Sequence, residues 1–278
     1  MEFNIVLVCL ENFQNYILTC IDQLLKLGHR EIYVITNNHL MSNFEGYSVF
    51  LIDADMLDDV FGFAKKTTMD SGFRNGFWKH TSARFFALYS FMEQTGVKNV
   101  IHIENDVLLY YNCNETLTFE TNKLYIPFDT YERNIASIVY IPDSYIFGKI
   151  LAHYDFGKND MYNFGAIREK TDLICTLPIF IDSNSENRER AFVCSGYTKY
   201  IFDAAAIGQF LGGVDPRNTP GDSRGFVNET CVIKYCDEGT IVWKVIDGLK
   251  KPFIQIGEIV VPIFNLHIHC KNLVLYIS

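Results

Sequence analysis

Apolar and polar positions alternate along this chain in two rhythms. Short apolar runs at Asn4–Leu10, Glu31–Thr36 and Tyr47–Ile52 predict buried strands. Between the first two, Phe13, Ile17, Ile21, Leu24 and Leu25 recur at helical spacing, and Gly28 offers a stop, so Phe13–Leu27 predicts a helix. Strand, helix, strand is the order that builds a parallel sheet with crossover helices. Asn37-Asn38 reads as a turn, and Lys65–His80 as a long polar loop of the kind that tends to be functional. Thr81 or Ser82 then caps a helix over Ala83–Thr95 that turns Phe85, Leu88, Phe91 and Met92 inward. The stretch Asn99–Tyr110 follows as a buried strand built on Val100, Ile101, Ile103, Val107 and Leu108.

Lys123–Phe128 and Ala136–Ile141 predict further strands, and Asp143–Tyr154 and Asp160–Lys170 helices. Leu173–Ile181 is apolar without a clear period. Phe202–Leu211 predicts a helix opening at Asp203, and Gly212–Gly225 a second long loop. Val232–Tyr235, Ile241–Val245, Phe253–Ile256 and part of Ile259–Cys270 predict closing strands. No repeat, low-complexity tract or linker divides the chain, so a single domain over 1–278 is expected.

Two polar clusters do not fit a packing role. Glu104 and Asp106 end the apolar run of Asn99–Tyr110, and side chains two apart on a strand share a face. In an open α/β sheet the carboxyl edge is where ligands bind. Burying two anionic groups there costs several kcal/mol per ion unless they are compensated. A divalent cation, Mg²⁺ or Mn²⁺, is the natural compensation for oxygen ligands; a solvated strand-end turn is the alternative. Near the other end, Asn265–Lys271 alternates, placing His267, His269 and Lys271 on one strand face. Either imidazole could join the cation, and Lys271 could serve as a point charge for a phosphate or stand as a surface lysine. No cysteine pair or second histidine cluster has the spacing of a closed zinc site.

Composition narrows the chemistry. A net charge of −9 over 278 residues argues against a nucleic-acid binder, so phosphate recognition must rest on a few placed basic groups and a metal. The eight cysteines are scattered with no C-x2-C pair, which predicts free thiols, a reducing compartment and a cytoplasmic location. No signal-peptide pattern and no apolar stretch of transmembrane length is present. Asn114-Glu-Thr116 and Asn228-Glu-Thr230 match glycosylation sequons and read as chance matches.

With these residues in place, most of the chain resembles a GT-A fold glycosyltransferase. Glu104-Asn105-Asp106 stands where that fold carries its acidic DxD element, departing from the commonest form at the first position. His267, His269 and Lys271 resemble the late histidine and lysine that meet the cation and the diphosphate. The blocks Phe77–Phe86, Asp203–Gln209, Gly212–Asn218 and Asn265–His269 are similar to those of poorly characterised glycosyltransferase-like proteins of large DNA viruses and microbes.

The resemblance implies an α/β, Rossmann-like mixed but mostly parallel sheet flanked by helices, with a nucleotide-binding half over 1–110 and an acceptor-binding half over 111–278. It implies Mn²⁺ or Mg²⁺ on Asp106, Glu104 and one of His267 and His269. It implies a nucleoside-diphosphate-sugar donor and a glycan or other hydroxyl acceptor. Asn37, Trp78, Lys79, Arg84, Glu104 and Lys271 are the donor-site candidates. For each a plainer role exists: Asn37 as a turn residue, Trp78 as core, Arg84 as the partner of an acidic neighbour. An inverting reaction needs a carboxylate base. Asp215 on the Gly-rich loop is the first choice, with Glu229, Asp203 and Asp222 competing; Asp203 also reads as a helix cap. Rival classes are a sugar-nucleotidyltransferase, a metal-dependent hydrolase built on His267 and His269, and a non-catalytic nucleotide-sugar-binding protein. The first would show a Gly-rich basic loop after the first strand, where Glu11-Asn12-Phe13 stands instead.

Overall fold

The computed structural model describes residues 2–179, 199–208, 211–212 and 239–278. The N-terminal rhythm folds as β1 (Asn4–Cys9), α1 (Tyr16–Lys26), β2 (Ile32–Thr36), β3 (Phe50–Asp53), the single turn α2 (Phe63–Lys66), α3 (Phe77–Thr95) and β4 (Val100–Ile103). There follow β5 (Val107–Leu109), the short α4 (Cys113–Thr116), β6 (Leu124–Ile126), β7 (Phe128–Thr130), β8 (Arg133–Asn134) and β9 (Ile138–Ile141). Next come α5 (Ser144–Leu151), α6 (Asp160–Lys170) and β10 (Ile174–Thr176). The C-terminal part holds β11 (Thr240–Ile246), β12 (Leu249–Ile256), β13 (Ile259–Pro262) and β14 (Asn265–His267).

Seven strands form one sheet in the order β10-β6-β9-β4-β1-β2-β3. β1 lies parallel to β2 and β4, β2 to β3, and β6 to β10, while β9 runs antiparallel to β4 and β6. This is the mixed, mostly parallel α/β sheet flanked by helices that the sequence predicts. Alternation along β1 sends Ile5, Leu7 and Cys9 to one face and Val6 and Val8 to the other. The first face is covered by Ile17, Cys20, Ile21 and Leu24 of α1. The second is covered by Phe85, Leu88 and Met92 of α3 together with α5 and α6. Each such side chain contributes about 1.5–3 kcal/mol by leaving water.

Strand order reverses beside β1. The chain builds outward from β1 through β2 to β3 and then crosses to β4 on the other flank. The carboxyl ends of β1 and β4 therefore frame the switch-point crevice where ligands of such sheets bind. Glu104 is the first residue past β4.

The expected strand across Asn99–Tyr110 is two strands. The chain turns at Glu104–Asp106, with the Val107 N–H donating to the Glu104 carbonyl at 3.0 Å, and β5 leaves the main sheet. β5 pairs antiparallel with β14, matching Asn265 with Leu109, Leu266 with Leu108 and His267 with Val107. α1 braces the other edge of β5: Gln23 Nε2 donates to the Leu109 carbonyl at 2.8 Å, and Cys20 Sγ to that of Val107 at 3.0 Å.

Other boundaries move for local reasons. α3 begins at Phe77, behind the left-handed Gly76 (φ 82°), so Trp78, Lys79 and His80 belong to a helix, not to a loop. The Asn37-Asn38 turn opens a 3-10 helix over Asn38–Phe44. The third strand is Phe50–Asp53, beginning three residues later than its apolar run suggests. Leu173–Ile181 resolves in part into β10. Residues 202–207 are not helical: Ile201 bridges in parallel to Ile263, and the segment after it curls around the Asp203 carboxylate. Cys175 is disulfide-bonded, against the expectation of free thiols throughout, so the cysteines give no argument for a reducing compartment. Cys9, Cys20, Cys113 and Cys270 are free. Among the described residues no helix is long and apolar enough to cross a membrane.

Candidate functional site

The turn after β4 and the end of β14 converge. Register places His267 opposite Val107, and the Ile268 N–H donates to the Asp106 carbonyl at 2.9 Å. His267 Nε2 lies 3.4 Å from Glu104 Oε2 and 3.3 Å from Asp106 Oδ2. One ligand atom from each of these three residues falls within 4.8 Å of the others. The acidic triplet and the late histidine strand, 160 residues apart, thus share one site.

Each side chain in it is held from behind. The middle residue Asn105 is buried, and its Nδ2 donates to the Val8 carbonyl and to Gln14 Oε1, both at 2.9 Å. That hook ties the turn to the end of β1 and leaves Glu104 and Asp106 to face the site. His267 Nδ1 lies 2.8 Å from the Ala204 carbonyl, which can only accept, so Nδ1 carries the proton. Nε2 is then the nitrogen presented to the two carboxylates, the arrangement in which a histidine ligand is oriented by a backbone carbonyl. The His267 N–H donates to Asp203 Oδ2 at 2.9 Å.

Asp203 is fully buried. Its carboxylate accepts from the N–H groups of Ala206 (3.0 Å), Ile207 (2.8 Å), Gly208 (2.7 Å) and His267 (2.9 Å). With both oxygens accepting from backbone amides, Asp203 acts as a clamp that shapes the site. Gly208 is required for this approach: a Cβ there would stand 2.0 Å from the His267 carbonyl oxygen.

Charge in the site runs as a chain of alternating sign. Asp160 pairs with Arg84 (2.9 Å), Arg84 with Glu104 (2.5 Å), Glu104 and Asp106 with His267, and Asp106 with the Lys271 ammonium. Burial works against ionising Asp106, but Lys271 and His267 outweigh it and hold its carboxyl well below the usual range. Glu104 is likewise lowered against its burial, by Arg84 and then His267. Burial disfavours the imidazolium of His267, yet Asp106 and Glu104 lift its pKa to about 9. Lys271 reaches Asp106 from a left-handed turn (φ 62°), whose strain of roughly 1–2 kcal/mol is the kind stored at functional sites.

The residues fit a divalent cation. Glu104 Oε2 is buried without a hydrogen-bond partner, and it faces the same point as Asp106 and His267 Nε2. Two carboxylate oxygens and one imidazole nitrogen form a donor set suited to Mn²⁺ or Mg²⁺. His269 stands outside this set, its ring 4.6 Å from that of His267 and edge-on to it.

The other predicted residues are placed less centrally. Arg84 is 8% exposed and both ends of its fork are taken by carboxylates, so it is the partner of acidic neighbours rather than an open phosphate ligand. Asn37 sits at the carboxyl end of β2, where Oδ1 accepts from the Glu11 N–H (2.7 Å) and Nδ2 donates to Asp55 Oδ1 (2.6 Å). Trp78 and Lys79 lie on the first turn of α3, where Trp78 packs with Phe73 and Phe77. Asp215, Asp222 and Glu229 lie outside the described residues. The sequence reading missed Asp160, Asn105 and Ala204, because each acts through a contact at long separation that no local pattern encodes.

No family model matches the chain, and no curated protein matches it in sequence. Among solved structures, apo xyloside xylosyltransferase 1 of mouse is 10% identical with a TM-score of 0.46, covering 72% of this chain and 96% of its own. The galactosyltransferase LgtC, in complex with donor and acceptor sugar analogs, is 12% identical at 0.43, with 70% and 84% covered. The glycosyltransferase GlyE of Streptococcus pneumoniae is 12% identical at 0.42, with 69% and 51% covered. Likeness at this level concerns the outline of the fold and says nothing of substrate.

Proposed function

We propose that this protein is a divalent-cation-dependent glycosyltransferase that moves a sugar from a nucleoside-diphosphate-sugar to a hydroxyl of a glycan or other acceptor. One observation carries the reading: Glu104, Asp106 and His267 Nε2 meet at the switch-point edge of a mostly parallel sheet, with one buried carboxylate oxygen left without a hydrogen bond. When bound, Mn²⁺ or Mg²⁺ neutralises charge that develops on a departing diphosphate. Glu104 and Asp106 would hold it through oxygen, and His267 through Nε2, kept in the right tautomer by the Ala204 carbonyl. Lys271 balances Asp106 from the side and adds a positive charge beside the diphosphate. Asn37 and the ends of β1 and β2 form the nucleoside side of the site. In an inverting reaction a carboxylate deprotonates the acceptor hydroxyl, and Asp215 and then Glu229 are proposed for it.

The reading is tested by incubating the protein with a panel of uridine and guanosine diphosphate sugars and following release of the diphosphate. Slow donor hydrolysis that appears with Mn²⁺ and stops with EDTA is expected for at least one donor. Release that continues equally in EDTA would remove the cation from the account.

A pH dependence follows from His267. Below pH about 9 its imidazole is protonated in the metal-free site, whereas ligation needs Nε2 free. Glu104 and Asp106, both lowered, stay ionised across this window. Mn²⁺ binding should therefore release close to one proton at pH 7, and its affinity should rise by about tenfold per pH unit up to pH about 9. Calorimetry in buffers of different ionisation enthalpy measures the proton count; a count near zero would contradict the coupling of the raised His267 pKa to the cation.

A further inference from the structure

Arg84 meets the Glu104 oxygen that faces away from His267, and its geometry is selective. Nη1 meets Glu104 Oε1 at 2.5 Å, while Nη2 is turned away to Asp160 Oδ2 at 2.9 Å. A guanidinium facing a single carboxylate tends to take both of its oxygens in a fork. Here the second arm is occupied, so Glu104 is gripped by one oxygen only. Its other oxygen, Oε2, is left buried, without a hydrogen bond, and aimed at the point shared with Asp106 and His267. Asp160 is placed to do this firmly. It is 2% exposed, it opens α6 behind the Asn159 cap, and its second oxygen accepts from Thr81 Oγ1 at 3.4 Å.

Charge points the same way. An unbalanced Arg84 would set a full positive charge against a divalent cation on the far side of Glu104. Asp160 cancels it, so the negative charge of Glu104 remains available to the ion.

We infer that Asp160 is a positioning residue for the cation site: by holding the second arm of Arg84 and balancing its charge, it keeps Glu104 Oε2 free to bind the ion. The inference rests on the cation reading above and assigns a function to a residue that touches neither the ion nor the donor.

The test is binding of Mn²⁺ alone, read from the electron paramagnetic resonance signal of the unbound ion, with no donor present. Asp160→Asn should weaken Mn²⁺ binding by about tenfold or more, the usual effect of losing an outer-shell partner. Asp160→Glu, which keeps the charge, should recover most of the affinity, an outcome that a purely structural role for Asp160 does not predict. If Asp160→Asn does not keep its fold, Arg84→Lys gives the same readout, because an ammonium cannot hold both carboxylates in a fork. Wild-type affinity in a folded Asp160→Asn, with binding abolished in Asp106→Asn, would overturn the inference and leave the cation site standing. Absence of saturable Mn²⁺ binding to the wild type would overturn both.

Discussion

Asp106→Asn is expected to abolish donor turnover, a loss of about 10³-fold or more, while the protein stays folded. The substitution keeps the shape of the side chain and removes its charge. Asp106 is 7% exposed, contacts His267 Nε2 and is paired with Lys271, so the carboxylate is central to both neighbours. Without it the cation loses an anionic ligand, and His267 loses the larger of the two charges that hold its proton. The backbone is anchored independently, through the Asp106 carbonyl to the Ile268 N–H and through Asn105 to β1, which is why the fold should survive. Diphosphate release under saturating Mn²⁺, alongside circular dichroism, checks both halves. Turnover within tenfold of wild type would contradict the assignment of Asp106.

Asp203→Ala is expected to cost about 3–5 kcal/mol of stability, because it strips several buried N–H groups of their acceptor at once. Four backbone N–H groups, those of Ala206, Ile207, Gly208 and His267, would lose their shared acceptor in a place water does not reach. A buried donor left unpaired costs about 1–3 kcal/mol, and the four will not add in full because the segment can relax. Relaxation has its own consequence. The loop from Asp203 to Gly208 carries the Ala204 carbonyl that fixes the tautomer of His267, so Mn²⁺ binding should fall together with stability. Urea unfolding and Mn²⁺ titration of the same sample measure the two effects. A stable variant with reduced turnover alone would instead point to Asp203 as the catalytic base.

Much of this was legible from residue pattern because it depends on local periodicity. The period-two and helical stripes of Asn4–Thr36 report burial directly, and β1, α1 and β2 form where they occur. Glu104 and Asp106 stood out because two carboxylates at the end of an apolar strand have no packing explanation. The turn that separates β4 from β5 was not visible: Val107 and Leu108 continue the apolar run, and the break is made by Asn105 hooking onto β1. The segment after Phe202 carries enough apolar residues for a helical stripe, but the Asp203 carbonyl that would accept the first helical bond is taken by Ser137 Oγ and Asn265 Nδ2. Between His267 and His269 spacing could not choose, since period-two alternation would put both on one strand face. The structure separates them because β14 ends at His267. Arg84 illustrates the same limit. An acidic partner is the plainer of its two roles in the sequence, and the fold supplies two, Glu104 and Asp160, 20 and 76 residues away.

The central claim is a single ion position shared by the turn after β4 and the end of β14. The most direct measurement is an anomalous difference map, at the manganese edge, of crystals grown with Mn²⁺ and uridine diphosphate. The account predicts one strong peak bounded by Glu104 Oε2, an Asp106 oxygen and His267 Nε2, with diphosphate density against it. A peak elsewhere, or uridine diphosphate bound with Lys271 still on Asp106 and no manganese beside them, would contradict it.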